Sequence, residues 1–417
     1  MTGKERIKTV LSHREADRIA IDFGATPVTG IHVKKIAEFR RHYGLEDKPV
    51  KVVEPYQMLG EVDEELAGIW HVDVTGAGGR SDMFGHPQED FVERQMPWGQ
   101  TVLLPQSFKM KEENGNRYVF PQGDMNCAPT AVMPDGGFFF NTIERASDTE
   151  LDAALNIEDN LEEFVLLTDA DMPYWKDKLT QARASEKAVL ANIGGTGIGD
   201  IALVPGLHLR NPKGIRTIAD WYMSTVIRTD FLQEIFERQT DIAIRNLEKI
   251  NAIAGDCIDI LYVCGTDFGT QDSQFCSAED LSALYGNAYR KINDWVHRHT
   301  AWKTFKHCCG AIVPLMETFI ELGFDIINPV QINAAGMDPH FLKKEFGDRI
   351  TFWGGGIDTQ RVLPRGTPQQ VKDQVHQLCD IFGAGGGFVF NTVHNLQANV
   401  PFENAIALME AILAIDN

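Results

Sequence analysis

The stretch TFKHCCG, residues 304–310, opens on β-branched and aromatic residues and stops at a glycine. Such residues suit a pleated, half-buried strand, and glycine punctuates its end. A helix-like stretch follows, and the same unit recurs along the chain. The other runs are RIAIDFGA (18–25), HVDVTGAG (71–78), AVLANIGG (188–195), DILYVCGTDFG (259–269), FDIINPVQ (324–331), RITFWGGGID (349–358) and GFVFNTVHN (387–395). Eight strand–helix units in succession predict an α/β fold, a (β/α)8 TIM barrel spanning residues 1–417 as one domain. A doubly wound open sheet shares this alternation and is the alternative, since strand order is not written in the sequence.

The intervening segments carry helix punctuation. AEDLSALYGNAYRKINDWVHRH begins with an acidic turn and ends on basic residues, as the helix dipole favours. TPQQVKDQVHQLCDIFG offers Thr367 as an N-cap and ends at a glycine. The rhythm breaks at about 85–150, where Gly, Pro and aromatics (MFGHPQEDFVERQMPWG, PDGGFFFN) predict an inserted β-hairpin region over one rim.

The 417 residues are 43 % hydrophobic, enough for a large core, and carry a net charge of −20. That charge argues against nucleic acid or an anionic membrane surface as a partner, both of which require basic patches. No apolar run approaches the roughly 18 residues of a membrane span, and the charged N-terminus lacks the apolar centre of a signal peptide. A cytoplasmic protein is expected. Its seven cysteines, odd in number and irregularly spaced, fit free thiols better than a disulfide framework. GGTGIGD (194–200) lacks both the dinucleotide spacing and the Lys-Ser/Thr of a phosphate loop.

In such barrels the reacting groups come from the carboxyl ends of the strands. Alternation along a strand puts His307 and Cys309 on one face and Cys308 on the other. A His-x-Cys pair supplies imidazole nitrogen and thiolate, both suited to Zn2+, and His394 at the end of the last run is the best third ligand. Three protein ligands leave a zinc ion one open position, the arrangement of catalytic sites. The competing reading is plain core, since free cysteine is among the most buried residue types. His297 and His299, at a helix end, have an ordinary electrostatic reason to be there. Asp267 follows an apolar strand, where a carboxylate is expensive unless paired, solvated or functional. It is the candidate catalytic residue, as general base, fourth ligand or orienting partner. Asn328, Gln331, Asp358 and Asp22 are the candidate substrate-binding residues; Asn328 and Gln331 suit a role as loop hydrogen bonders equally well, and Asp358 one as the cap of the helix after it.

At these residues the chain resembles the uroporphyrinogen decarboxylase superfamily, which includes zinc methyltransferases that exchange methyl groups with corrinoid proteins. The resemblance is strongest in KHCCGAIVPLMETFIELGFDIINPVQ, ITFWGGGIDTQRVLPRGTPQQVKDQV and FNTVHNLQANVPFENAIALMEAI, with ADRIAIDFGATPVTGIHV and GTDFGTQ also similar. It implies a (β/α)8 barrel. The true decarboxylase grips its acidic tetrapyrrole with an Arg-Gln-Ala-Gly-Arg-Tyr string, which is missing here; the corresponding strand ends DFGATPVTG. The methyltransferases carry His-x-Cys and a distant Cys. His307 and Cys309 match the pair, while His394 stands at or near the third position in place of cysteine.

The resemblance thus implies a zinc-dependent methyltransferase acting between a small thiol, alcohol or methyl ether and the corrinoid of a separate carrier protein. A homodimer is the assembly expected, apart from that resemblance. Two rivals are a metal-free decarboxylase-like lyase using Asp267 or Asp22, and a non-catalytic barrel that holds a corrinoid or tetrapyrrole.

Overall fold

The computed structural model describes residues 1–145 and 155–415. Eight parallel strands form one sheet: β1 (Ala20–Ile21), β2 (Val74–Gly78), β3 (Ala188–Asn192), β4 (Ile260–Cys264), β5 (Lys303–His307), β6 (Ile326–Asn328), β7 (Thr351–Trp353) and β8 (Phe388–Phe390). Seven lie inside the runs read from the sequence, and β5 begins one residue before its run, at Lys303. Their order is β1-β8-β7-β6-β5-β4-β3-β2, a sheet that curls through one full turn. This is the TIM-barrel order and not that of a doubly wound sheet.

The seam between β1 and β2 is closed by Asp73. Its backbone N–H donates to the Ile21 carbonyl at 2.8 Å, and its carboxylate accepts the Ile21 N–H at 2.9 Å. Arg6 and Arg18 hold the same carboxylate. Just above, a Cβ on Gly76 would lie 2.2 Å from the Ala25 carbonyl oxygen, so only glycine lets the chains approach here.

Inward residues of the strands, among them Leu190, Ile260, Phe305, Ile326, Trp353 and Val389, fill the barrel. Ile7 and Val10 of the first helix, Gly3–Val10, with Leu11 at the helix C-cap, plug the amino-terminal end of the barrel. The outer layer is helical. Helix Ala278–His299 starts with a capping box between Ser277 and Asp280, and Pro368–Gly383 with one between Thr367 and Gln370. Each satisfies otherwise orphaned N–H groups at the helix start. Among the described residues no helix is long and apolar enough to cross a membrane.

The rhythm breaks where expected. Phe91–Gln95 and Thr101–Pro105 form an antiparallel hairpin, and Met110–Glu113, Asn116–Val119, Ala131–Met133 and Asn141–Thr142 form a second small sheet. Residues 146–150 of the expected insert lie outside the described residues. The hairpin also pairs, in parallel, with Val50–Glu54 from the β1–β2 connection. The accessory layer therefore begins earlier than the sequence rhythm suggested, before residue 85.

Candidate metal centre

Strand β5 sets the geometry. Phe305 points into the barrel, so His307 and Cys309 point inward above it, and Cys308 faces the helices. The Cys308 Sγ is buried and accepts the Phe268 N–H at 3.2 Å, the packing role that alternation assigns it. The His307 Nε2 lies 3.4 Å from the Cys309 Sγ. His394 comes from the segment after β8, and its ring centroid lies 5.5 Å from that of His307 at an interplanar angle of 80°. One ligand atom from each of His307, Cys309 and His394 can be chosen so that all lie within 4.8 Å of one another. Three side chains separated by up to 87 positions thus converge on one point.

The protonation states suit a cation. Burial lowers the His307 pKa, against the pull of Asp267 and Asn328. Burial, then the neighbouring His307, lowers that of His394 to about 4. Burial pushes the Cys309 thiol well above its ordinary value, and Asp267 adds to this. Both imidazoles are therefore neutral at pH 7 and offer lone pairs, and a bound divalent ion would displace the thiol proton. The Nδ1 of His307 lies 2.6 Å from Asn328 Oδ1, and Asn328 Nδ2 donates to the Trp353 carbonyl at 2.9 Å. The second bond fixes the amide orientation, so Nδ1 carries the hydrogen and Nε2 is left for a ligand. Such a partner is the usual companion of a ligating histidine.

Asp267 stands at the same place. Its Oδ1 accepts the Cys309 N–H at 2.6 Å and lies 3.8 Å from His307 Nε2. Behind the strand, Lys306 is fully buried. Its Nζ donates to the carbonyls of Thr266 and His307, with Phe268, Tyr289 and Phe319 around it at 5.2 to 5.9 Å. It ties the ends of β4 and β5 together directly beneath the cluster.

Asp267, His307 and His394 line a cavity of about 2270 Å3 at the carboxyl end of the barrel. Drug-sized ligands occupy roughly 300–1,000 Å3, so this space admits something much larger. Its roof comes from Gly24–Val28, Glu54, Tyr56 and the Phe138–Phe140 run of the accessory layer. Among the described residues no arginine lines it. Lys51 and Lys178 are its lysines, while carboxylates such as Glu54, Asp82, Asp200 and Asp267 predominate.

The four residues expected to bind substrate are not on this wall. Asn328 is fully buried behind His307. Gln331 Oε1 accepts the Gly310 N–H at 2.8 Å and so supports the turn after Cys309. Asp358 accepts the N–H groups of Gln360 and Arg361, capping its own turn. Asp22 is fully buried, accepts from Trp353 Nε1 at 3.0 Å, and burial raises its carboxyl to about 7. Each was read from its position at a strand end; Asn328 turns to His307 and the Trp353 carbonyl, Asp22 to the Trp353 indole, and Gln331 and Asp358 to backbone N–H groups. His297 pairs with Asp325 at 2.7 Å and His299 bonds the Trp295 carbonyl, away from the cluster. Asp200, Tyr262 and Lys306 went unread. A carboxylate closing the glycine loop after β3 and a lysine within an otherwise apolar strand were the available signals.

Residues 208–415, the C-terminal half of the chain, match the family model described as uroporphyrinogen decarboxylase (URO-D). Among solved structures the chain is similar to a methyltransferase from Methanosarcina mazei. The TM-score is 0.53 at 12 % identity, over 99 % of this chain and 99 % of that one. At that identity the likeness concerns the fold. No curated protein matches the chain.

Proposed function

The chain belongs to the uroporphyrinogen decarboxylase superfamily, and from that premise we propose that it is a zinc-dependent methyltransferase, moving a methyl group between a small thiol, alcohol or methyl ether and the corrinoid of a separate carrier protein. The observation that carries this reading is the convergence of His307, Cys309 and His394 on one point at the mouth of the barrel.

The donor set fits zinc: two neutral imidazoles and one thiol are borderline-soft ligands, and three of them leave one position open. When bound there, zinc supplies Lewis acidity to a heteroatom. The remaining work belongs to the chain. Asn328 holds His307 in the ligating tautomer. Asp267 fixes the Cys309 backbone and presents its carboxylate beside His307. The accessory layer contributes Phe138–Phe140 to the cavity wall, and the volume of about 2270 Å3 leaves room for a macrocycle beside the small substrate.

The decarboxylase reading fits less well. An octacarboxylate substrate entering a cavity lined by carboxylates, in a chain of net charge −20, meets repulsion that no lining arginine offsets among the described residues. Metal analysis of the purified protein beside His307→Ala and Cys309→Ala tests the proposal. Stoichiometric zinc in the wild type and its loss in both variants is the expected result; equal zinc in all three ends it.

A further inference from the structure

The loop GGTGIGD (194–200) lacks the spacing of a nucleotide-binding motif, yet it is pinned on several sides. The Ile198 carbonyl accepts from Thr266 Oγ1 at 2.7 Å and from the Tyr289 hydroxyl at 3.2 Å. The Gly195 carbonyl accepts from Gln239 Nε2 at 3.0 Å, and Thr196 Oγ1 donates to the Tyr262 carbonyl at 3.3 Å. Gly199 sits at φ +65°, where a Cβ would lie 2.5 Å from the Tyr285 ring. What this rigid loop delivers is Asp200, on the cavity wall with Asp267 and His307.

Asp200 is oriented by backbone alone. Its Oδ1 accepts the Ala202 N–H at 3.0 Å and its Oδ2 the Gly265 N–H at 3.1 Å. A Cβ on Gly265 would lie 2.7 Å from the Tyr262 hydroxyl and 2.8 Å from Asp200 Oδ2. The two oxygens therefore flank one niche, which glycine keeps open. Tyr262 stands on the inner face of β4, stacked on Phe305 at 5.5 Å, and also lines the cavity. Asp267 differs from Asp200 in that its Oδ1 is engaged with the cluster itself, through the Cys309 N–H.

We propose that Asp200, with Tyr262 beside it, is the group that takes up and returns the proton of the substrate heteroatom. This rests on the methyl-transfer reading above and extends it. When a neutral R–XH (X sulfur or oxygen) settles in the cavity, the X–H bond breaks, its electron pair stays on X, and an O–H bond forms on the Asp200 carboxylate. Release of R–XH reverses the transfer. Burial raises the Asp200 pKa and the charge of Asp267 adds to this, while the Ala202 N–H, Lys306 and His307 oppose it. Tyr262 and Tyr222 are the other ionisable groups facing it, and both of their own pKa values are raised. A carboxyl shifted upward in this way is a stronger proton acceptor than an ordinary surface carboxylate.

The test is calorimetric binding of 2-mercaptoethanol to zinc-loaded protein in two buffers of different ionisation enthalpy, which counts protons released. Asp200→Asn releases about one more proton per thiol bound than the wild type, because a carboxyl carries one exchangeable proton. Asp200→Glu restores the wild-type count. Equal counts in wild type and Asp200→Asn overturn the proposal, as does a thiol that fails to bind the loaded protein. If Asp200→Asn does not fold, Gly265→Ala crowds both oxygens and must move the count in the same direction; an unchanged count is equally fatal. Zinc content measured on the same samples separates the two readings. A wild type that holds no zinc defeats the methyl-transfer assignment and this proposal with it, whereas zinc with equal proton counts defeats this proposal alone.

Discussion

The Asn328 side chain joins the Trp353 carbonyl to the His307 imidazole, at 2.9 Å on one side and 2.6 Å on the other. The ligating face of His307 is thus set by a residue with no access to the cavity. Asn328→Ala removes the orienting bond while leaving all three ligands. Zinc affinity is expected to fall roughly 10- to 100-fold, the usual effect of losing a ligand's hydrogen-bond partner. Competition against a chromogenic chelator measures it, with Asp358→Asn as the control that leaves affinity unchanged. Similar affinities for Asn328→Ala and wild type would mean that the bond does nothing for the metal.

Lys306 makes a second prediction. Lys306→Met keeps an unbranched chain among Phe268, Tyr289 and Phe319, but leaves the Thr266 and His307 carbonyls without this donor. An unsatisfied buried acceptor costs about 1–3 kcal/mol. The melting temperature of Lys306→Met is expected to drop by several degrees, read by circular dichroism. A melt superimposable on the wild type would show that the ammonium is dispensable.

Asp22 predicts a pH effect. Burial raises its carboxyl in the folded chain to about 7, against 3.8 unfolded. Between these values the unfolded chain holds fewer protons, so this contribution to stability is complete below about pH 4 and lost as the pH rises through 7. Asp22→Asn escapes that loss. Its melting temperature relative to the wild type should therefore climb from pH 5 to pH 8. His32 and His394, both lowered to about 4, slope the other way, but they are common to both proteins and cancel in the difference. A difference that is flat across this range would contradict a neutral Asp22.

The charge of the cavity can be probed directly. An octacarboxylate porphyrin titrated into the protein at physiological ionic strength is expected to cause no saturable quenching of tryptophan fluorescence. Micromolar quenching would favour the decarboxylase reading.

The barrel was legible because its strands are short apolar runs that end in glycine or a polar residue, as TFKHCCG does, and that motif survives any choice of neighbour. The β1–β2 closure through Asp73 was not legible, since it depends on a contact across the sheet. Two of the accessory strands before residue 85, Ile31–His32 and Leu59–Gly60, escaped because at two residues each they are too short to show a period. At the site, alternation placed His307 and Cys309 correctly, and His394 followed from its strand end. Of the residues read from the same rule, Gln331 and Asp358 bond backbone N–H groups, the alternative that their positions also allowed, while Asn328 bonds His307 and Asp22 bonds Trp353. Strand-end position tells where a side chain starts, and its local hydrogen bonds decide where it turns. Asp200 shows the converse. Its loop was weighed only as a nucleotide motif, and the folding of that loop over the barrel is set by distant partners such as Gln239 and Tyr289.

All three ligand candidates lie after residue 300, whereas Gly24–Val28, Glu54, Tyr56 and Phe138–Phe140 roof the space above them. The candidate ligands and the residues over the cavity are thereby drawn from opposite ends of one polypeptide. Remodelling the early loops can retune which guest is admitted without touching the hearth below.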